Sequence, residues 1–178
     1  MKLYKYGLMT ALLAMGFNAY ADLTPLRPPA DPVRAERPVM LERNLSLSVA
    51  RQLVDDAVAI CVANNYPVTA TVVDRAGTVL AVARDSRAGP LTLASSERKA
   101  YTAASFRTPT GDLMERSRQF PNAANLVHIP GTLLLAGGVP IRSGNAVIGA
   151  IGVGGAPDGR IDVQCIDYAL AKAAPLLR

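Results

Sequence analysis

Residues 67–84 read Pro67-Val68-Thr69-Ala70-Thr71-Val72-Val73-Asp74-Arg75-Ala76-Gly77-Thr78-Val79-Leu80-Ala81-Val82-Ala83-Arg84. Two short runs rich in valine and threonine, 68–74 and 78–84, flank the turn Arg75-Ala76-Gly77. This pattern predicts a β-hairpin, with Gly77 taking the left-handed backbone position that other residues disfavour. Upstream, Ala50, Leu53, Val54, Ala57, Val58 and Cys61 recur at three- and four-residue spacing. That is one apolar face of a helix over 46–64, closed by Asn64-Asn65-Tyr66-Pro67. Downstream, 92–106 is rich in alanine and carries Glu97, Arg98 and Lys99, a strong helix composition. Pro109 stops that helix, and Thr110 is placed to cap a shorter one over 111–118.

Further along, a polar loop at 119–125 leads into the apolar stretch 126–129. Residues 132–136 and 139–142 read as strand segments interrupted by Gly137-Gly138. Ser143-Gly144-Asn145 is a turn, 146–154 a long apolar strand, and 161–177 a closing helix with Ile166, Ala169, Leu170 and Ala173 on one face. Hairpin-linked strands with helices between and after them predict one α+β domain built on an antiparallel sheet. The chain carries no internal repeat and no second domain.

The N-terminus reads differently. Lys2 and Lys5 precede an apolar run of about ten residues, Leu8 to Phe17, and Ala19-Tyr20-Ala21 offers small residues where a signal peptidase cuts. The run is well short of the ~20 residues needed to span a bilayer. Residues 1–21 are therefore expected to be a signal peptide cleaved after Ala21, giving an exported, periplasmic protein with no membrane span in its mature part. Pro25, Pro28, Pro29, Pro32 and Pro38 make 22–43 an extended tether. The domain is expected over 44–178.

Composition narrows the function. Losing Lys2 and Lys5 with the leader lowers the formal charge from +5 to +3. No basic stripe interleaved with aromatics appears, so nucleic acid is not an expected partner. The glycine-rich 149–155 stretch would need a glycine at Pro157 to read G-x-G-x-x-G, and no parallel βαβ unit surrounds it. Its glycines instead permit close approach of a helix, a strand or a flat ligand. No G-x-S-x-G elbow is present. His128 is the single histidine; it can ligate iron or act as a base, but it lacks a zinc partner set. Cys61 and Cys165 both fall on apolar helix faces, and either one disulfide or two buried thiols fits that placement. A bridge would close a loop of more than 100 residues, a constraint of ~4–5 kcal/mol in the chain-entropy account.

Charged and polar side chains gather around the middle helix: Arg84, Asp85, Glu97, Arg98, Lys99, Tyr101, Thr102 and Arg107. Helical spacing sets Arg98 with Thr102 on one stripe and Glu97 with Tyr101 on the next. Lys99, two positions from Glu97, points elsewhere and is not neutralised by it. Cations beside an apolar wall would suit a flat anionic ligand or a small carboxylate; a solvated helix face is the plainer reading.

Three strings resemble one family. The hairpin opening 67–77, the segment Lys99-Ala100-Tyr101-Thr102-Ala103-Ala104-Ser105-Phe106-Arg107-Thr108-Pro109-Thr110, and the paired stretches Gly137-Gly138-Val139-Pro140-Ile141 and 147–155 resemble the GlcG/HbpS-like family in order and spacing. The resemblance runs from about Ser46 to Leu177. Gly154 stands where that family commonly has serine, and Asp162-Val163-Gln164-Cys165-Ile166-Asp167 partly replaces its usual opening of the last helix. The resemblance implies a profilin-like α+β domain with a five-stranded antiparallel sheet flanked by helices, a homo-oligomer, and haem as ligand. His128 is then the first candidate for the iron by its chemistry, ahead of Tyr101 and Lys99; Thr102 and Arg107 complete the expected cofactor set. The leading expectation is a periplasmic haem-binding protein in haem sensing, buffering or scavenging. The alternative is a binding module for a small organic acid or other metabolite. An enzyme would need a titratable pair in one pocket, and the sequence offers no clear one.

Overall fold

Among the described residues four strands build the sheet, in the order β2-β1-β4-β3 with every neighbour antiparallel. The structure is a computed structural model and describes residues 41–178. The expected signal peptide and tether residues 22–40 lie outside the described residues. In chain order the elements are α1 (Leu47–Ala63), β1 (Thr69–Asp74), β2 (Val79–Arg84), α2 (Leu91–Phe106), α3 (Thr110–Gln119), a 3-10 helix (Pro121–His128), β3 (Gly138–Ser143), β4 (Ala146–Gly154) and α4 (Gly159–Ala173). A short 3-10 turn, Ala174–Leu176, follows where Pro175 ends α4 earlier than the periodicity implied.

Both faces of the sheet are covered, so β1 and β4 are buried almost throughout rather than alternating. Ala70 and Val72 of β1, paired with Val153 and Ile151 of β4, face α1 and α4. Leu53, Val54 and Ala57 of α1 and Ile166 and Ala169 of α4 complete that core. Cys61 and Cys165 are joined by a disulfide between α1 and α4. The other face, Thr69, Thr71 and Val73 with Gly154, Gly152 and Ala150, carries α2. There the Thr71 and Ser96 hydroxyls pair at 2.8 Å and those of Thr69 and Thr92 at 2.7 Å. A Cβ at Gly152 would fall on the Ser96 carbonyl oxygen and 2.6 Å from the Ala100 nitrogen. The glycines of β4 therefore serve close approach of a helix.

The sheet has four strands, not the five expected, because 132–136 does not pair. The Leu133 N–H donates to Thr102 Oγ1 (2.8 Å), and the Leu135 carbonyl accepts from Thr110 Oγ1 (2.6 Å). Thr132 Oγ1 bonds back to the Ile129 carbonyl (2.8 Å). Hydroxyls take backbone groups that a ladder would need. Stretch 126–129 likewise belongs mostly to the 3-10 helix. Thr110 is not a cap: it is the first residue of α3, and its hydroxyl is spent on Leu135 and on the Gly138 N–H.

Candidate functional site

The outer face of α2 is set by helical spacing. Ala94, Glu97, Arg98 and Tyr101 follow one another at i, i+3, i+4 and i+7, and all four are exposed. Opposite them stand Gly77 of the β1–β2 turn and Pro130-Gly131 of the loop after the 3-10 helix. Together these residues line an open groove of about 570 Å3, within the ~300–1,000 Å3 usual for small-molecule sites. A second hollow, between Asn44, Val49, Ser143 and Leu177, is smaller at about 270 Å3 and contains none of the sequence-derived candidates.

Tyr101 is the centre of the groove. A Cβ at Gly77 would lie 2.9 Å from Tyr101 Cδ2, and one at Gly131 would lie 3.5 Å from Cε1. The two turns thus lie along opposite edges of the ring, and at Gly77 only the absence of a side chain leaves room for it. The residue remains 39% exposed, with the phenol oxygen at the far end of the ring. Gly77 has φ +87, as its turn requires. Apolar surface continues beside α2. Val82 pairs with Thr71, whose side chain meets Ser96, so Val82 projects from the same face of the sheet as α2. It is exposed, as are Val79 and Leu93.

The polar heads of the groove are uncommitted. Among the described residues no salt bridge involves Glu97 or Arg98, while Asp85–Arg87, Asp158–Arg160, Asp56–Lys172 and Glu42–Arg75 are all paired. Among the same residues, no hydrogen bond to protein engages the Tyr101 hydroxyl. One cation, one carboxylate and one phenol therefore line the groove beside Ala94 and Pro130.

Two expected ligand residues are withdrawn from the site. Lys99 is 2% exposed, and its ammonium donates to Asp162 Oδ2 at 2.8 Å and to the Val153 carbonyl at 2.9 Å. It is the positive half of a buried ion pair. Burial pushes the Asp162 carboxyl above its ordinary value, against the opposing pull of Lys99 and of the Ala156 N–H. Thr102 is fully buried and bonded to the Arg98 carbonyl and the Leu133 N–H. Arg107 is exposed but ends α2 in a left-handed conformation (φ 53), away from the groove, where its carbonyl accepts from Arg142. His128 is exposed at the end of the 3-10 helix, two residues before Pro130 and outside the groove lining. Of the expected set, only Tyr101 lines the groove. Gly131, Pro130 and Ala94 escaped sequence reasoning, because nothing local marks a loop glycine as the neighbour of a tyrosine thirty residues earlier. Among the described residues no group of three His, Cys, Asp or Glu side chains is arranged to hold a metal.

Fold and groove define a class: a small α+β domain with a ligand-sized site on the outer face of a sheet-covering helix. The chain belongs to the HbpS-like family, described as haem degrading protein HbpS-like, whose sequence pattern matches residues 45–171. Among solved structures, a double mutant of Streptomyces reticuli HbpS is 38% identical with a TM-score of 0.72, covering 82% of this chain and 98% of that one. Klebsiella pneumoniae ORFY is 24% identical with a TM-score of 0.73, covering 78% and 96%. PduOC, crystallised as a heme complex, is 24% identical with a TM-score of 0.65, covering 72% and 94%. The last two likenesses concern the fold alone. No curated protein matches the chain.

Proposed function

We propose that this protein binds haem in the Tyr101 groove and serves in haem sensing, buffering or scavenging in the periplasm. The observation that carries the reading is the groove itself: Ala94, Pro130 and an aromatic ring beside an uncommitted cation, in a chain of a haem-related family. Haem is flat, apolar across its face and anionic at its propionates. Ala94, Pro130 and the Tyr101 ring supply the flat wall, and Arg98 supplies the charge for a propionate. The bound group would bring iron redox and ligand-binding chemistry; the chain's own part is to orient it, shield one face and hold the iron. The relation of PduOC to heme supports the choice of ligand. Export is supported by the Cys61–Cys165 disulfide, since such bonds persist in oxidising compartments. Among the described residues no helix is long and apolar enough to cross a membrane. A homo-oligomer is part of the same proposal.

Haemin titration of the full chain tests it. The expected result is a saturable Soret change near one haem per chain or per chain pair. A featureless, non-saturating response overturns haem binding. Stabilisation by small carboxylates in a thermal-shift screen, in its place, would favour the organic-acid reading, in which Arg98 takes the carboxylate.

A further inference from the structure

We infer that the smaller hollow, at the end of the molecule where β3 turns into β4, is a second binding site, for an aliphatic carboxylate of a few carbons; it is independent of the haem reading. The hollow lies on the α1 side of the sheet, because Leu45 and Ile148 in its wall belong to the core beneath α1 and α4. The Tyr101 groove is on α2, which covers the other face. At about 270 Å3 the hollow falls just below the ~300–1,000 Å3 usual for small-molecule sites, which sets a small occupant. Arg43 and Arg178 line it, and no acidic side chain does. Among the described residues neither guanidinium enters a salt bridge. The hollow is therefore a place of positive charge with no protein anion to meet it.

A buried hydroxyl points the same way. Ser143 is only 8% exposed and lines the hollow. Its Oγ accepts from Arg43 Nη1 at 3.4 Å, so hydroxyl and guanidinium converge. Among the described residues the Ser143 hydroxyl proton itself has no acceptor. A buried donor left unspent carries a desolvation cost that a ligand oxygen would relieve. A carboxylate brings two acceptor oxygens, one for the Ser143 hydroxyl and one for the Arg43 guanidinium, and Arg178 adds a second positive charge. The amino end of α1, at Ser46, has no acidic residue in its first turn and adds to the same field. Inorganic phosphate could meet these donors, but Leu45, Val49 and Ile148 give the hollow an apolar side as well. A bare inorganic anion gains nothing from that surface, whereas a short hydrocarbon chain is stabilised by leaving water against it. Donors and apolar wall together select an anion with an aliphatic body.

Isothermal titration calorimetry of the full chain with sodium pentanoate, butyrate, acetate and phosphate tests the site. Pentanoate should bind saturably at one per chain, and affinity should fall about fourfold for each methylene removed. Arg43→Gln and Ser143→Ala should each weaken pentanoate by about tenfold or more, since each removes a hydrogen bond to a charged group. Arg98→Gln, in the other groove, should leave it unchanged. Thermal unfolding without ligand checks that the variants are folded; Arg43 and Arg98 are both exposed, so their substitution leaves the core intact. Loss of pentanoate binding in Arg98→Gln but not in Arg43→Gln would place the carboxylate in the Tyr101 groove and overturn the inference. Phosphate binding as tightly as pentanoate, with no dependence on chain length, would overturn the choice of ligand. Absence of saturable binding by all four anions would overturn the site. Haem titration of Arg43→Gln should match that of wild type, so the two readings stand or fall separately.

Discussion

Removing the Lys99 ammonium is the perturbation that separates a structural from a ligand-binding lysine. Lys99→Met keeps the length and apolar volume of the side chain and deletes the charge. In the folded protein, Asp162 Oδ2 would then lose its 2.8 Å partner while its Oδ1 keeps the Ala156 N–H at 3.2 Å. Asp162 is only 1% exposed. Breaking one half of a buried pair costs about 3–5 kcal/mol, because the remaining charge is stranded. The carboxyl can escape by protonating. Its folded value is already pushed above the ordinary 3.8, and loss of Lys99 raises it further. A folded pKa above the unfolded one means that the folded state binds more protons, so stability falls as pH rises from 3.8 through the folded value. The cost of Lys99→Met should therefore be smallest in acid and should grow towards neutral pH. Urea unfolding of wild type, Lys99→Met, Asp162→Leu and the double variant, at several pH values, measures this as a cycle. The double variant should be more stable than either single one, since neither charge is then stranded. A single-variant cost below about 1 kcal/mol at neutral pH, with no pH dependence, would refute the buried-pair argument. Haem affinity provides the complementary readout: a folded Lys99→Met that loses haem would return Lys99 to the site.

Thr102→Val should cost about 1–3 kcal/mol in denaturant unfolding, because the Leu133 N–H loses its acceptor, and should not alter haem affinity. Gly152→Ala should destabilise by about 1–3 kcal/mol or more, read from the thermal midpoint, since the methyl meets α2 backbone that cannot yield; an unchanged midpoint would mean that α2 sits further from the sheet. Reducing the Cys61–Cys165 bond, which spans 104 residues, should lower stability by up to about 4–5 kcal/mol; identical urea midpoints after complete reduction would contradict it. Asp158 is held at about 2 by the Arg160 guanidinium, against an ordinary 3.8. Its pairing is fully present above pH 3.8 and is lost as pH falls through about 2. Carboxyl NMR titration should place Asp158 below and Asp162 above 3.8, and Arg160→Ala should return Asp158 towards the ordinary value.

Local pattern alone determined most of the architecture. The valine-rich hairpin around Gly77, the three-and-four spacing of α1 and the continuous apolar run of β4 are each written within a dozen or so residues, because periodicity and turn chemistry are local properties. The family resemblance rests on the same strings, and the match over residues 45–171 agrees with it. Tertiary structure alone decided what became of individual polar side chains. Lys99 reads as a free cation in its own helix, yet its partner lies 63 residues later on α4, so a ligand candidate becomes part of the core. Residues 132–136 carry strand propensity, but hydroxyls from α2 and α3 reach their backbone first and no fifth strand forms. Tyr101 differs from its helical neighbours because the turns at Gly77 and Gly131, far apart in sequence, lie along the two edges of its ring. Long-range pairing and close approach depend on which surfaces the folded chain brings together, and no local pattern carries that information.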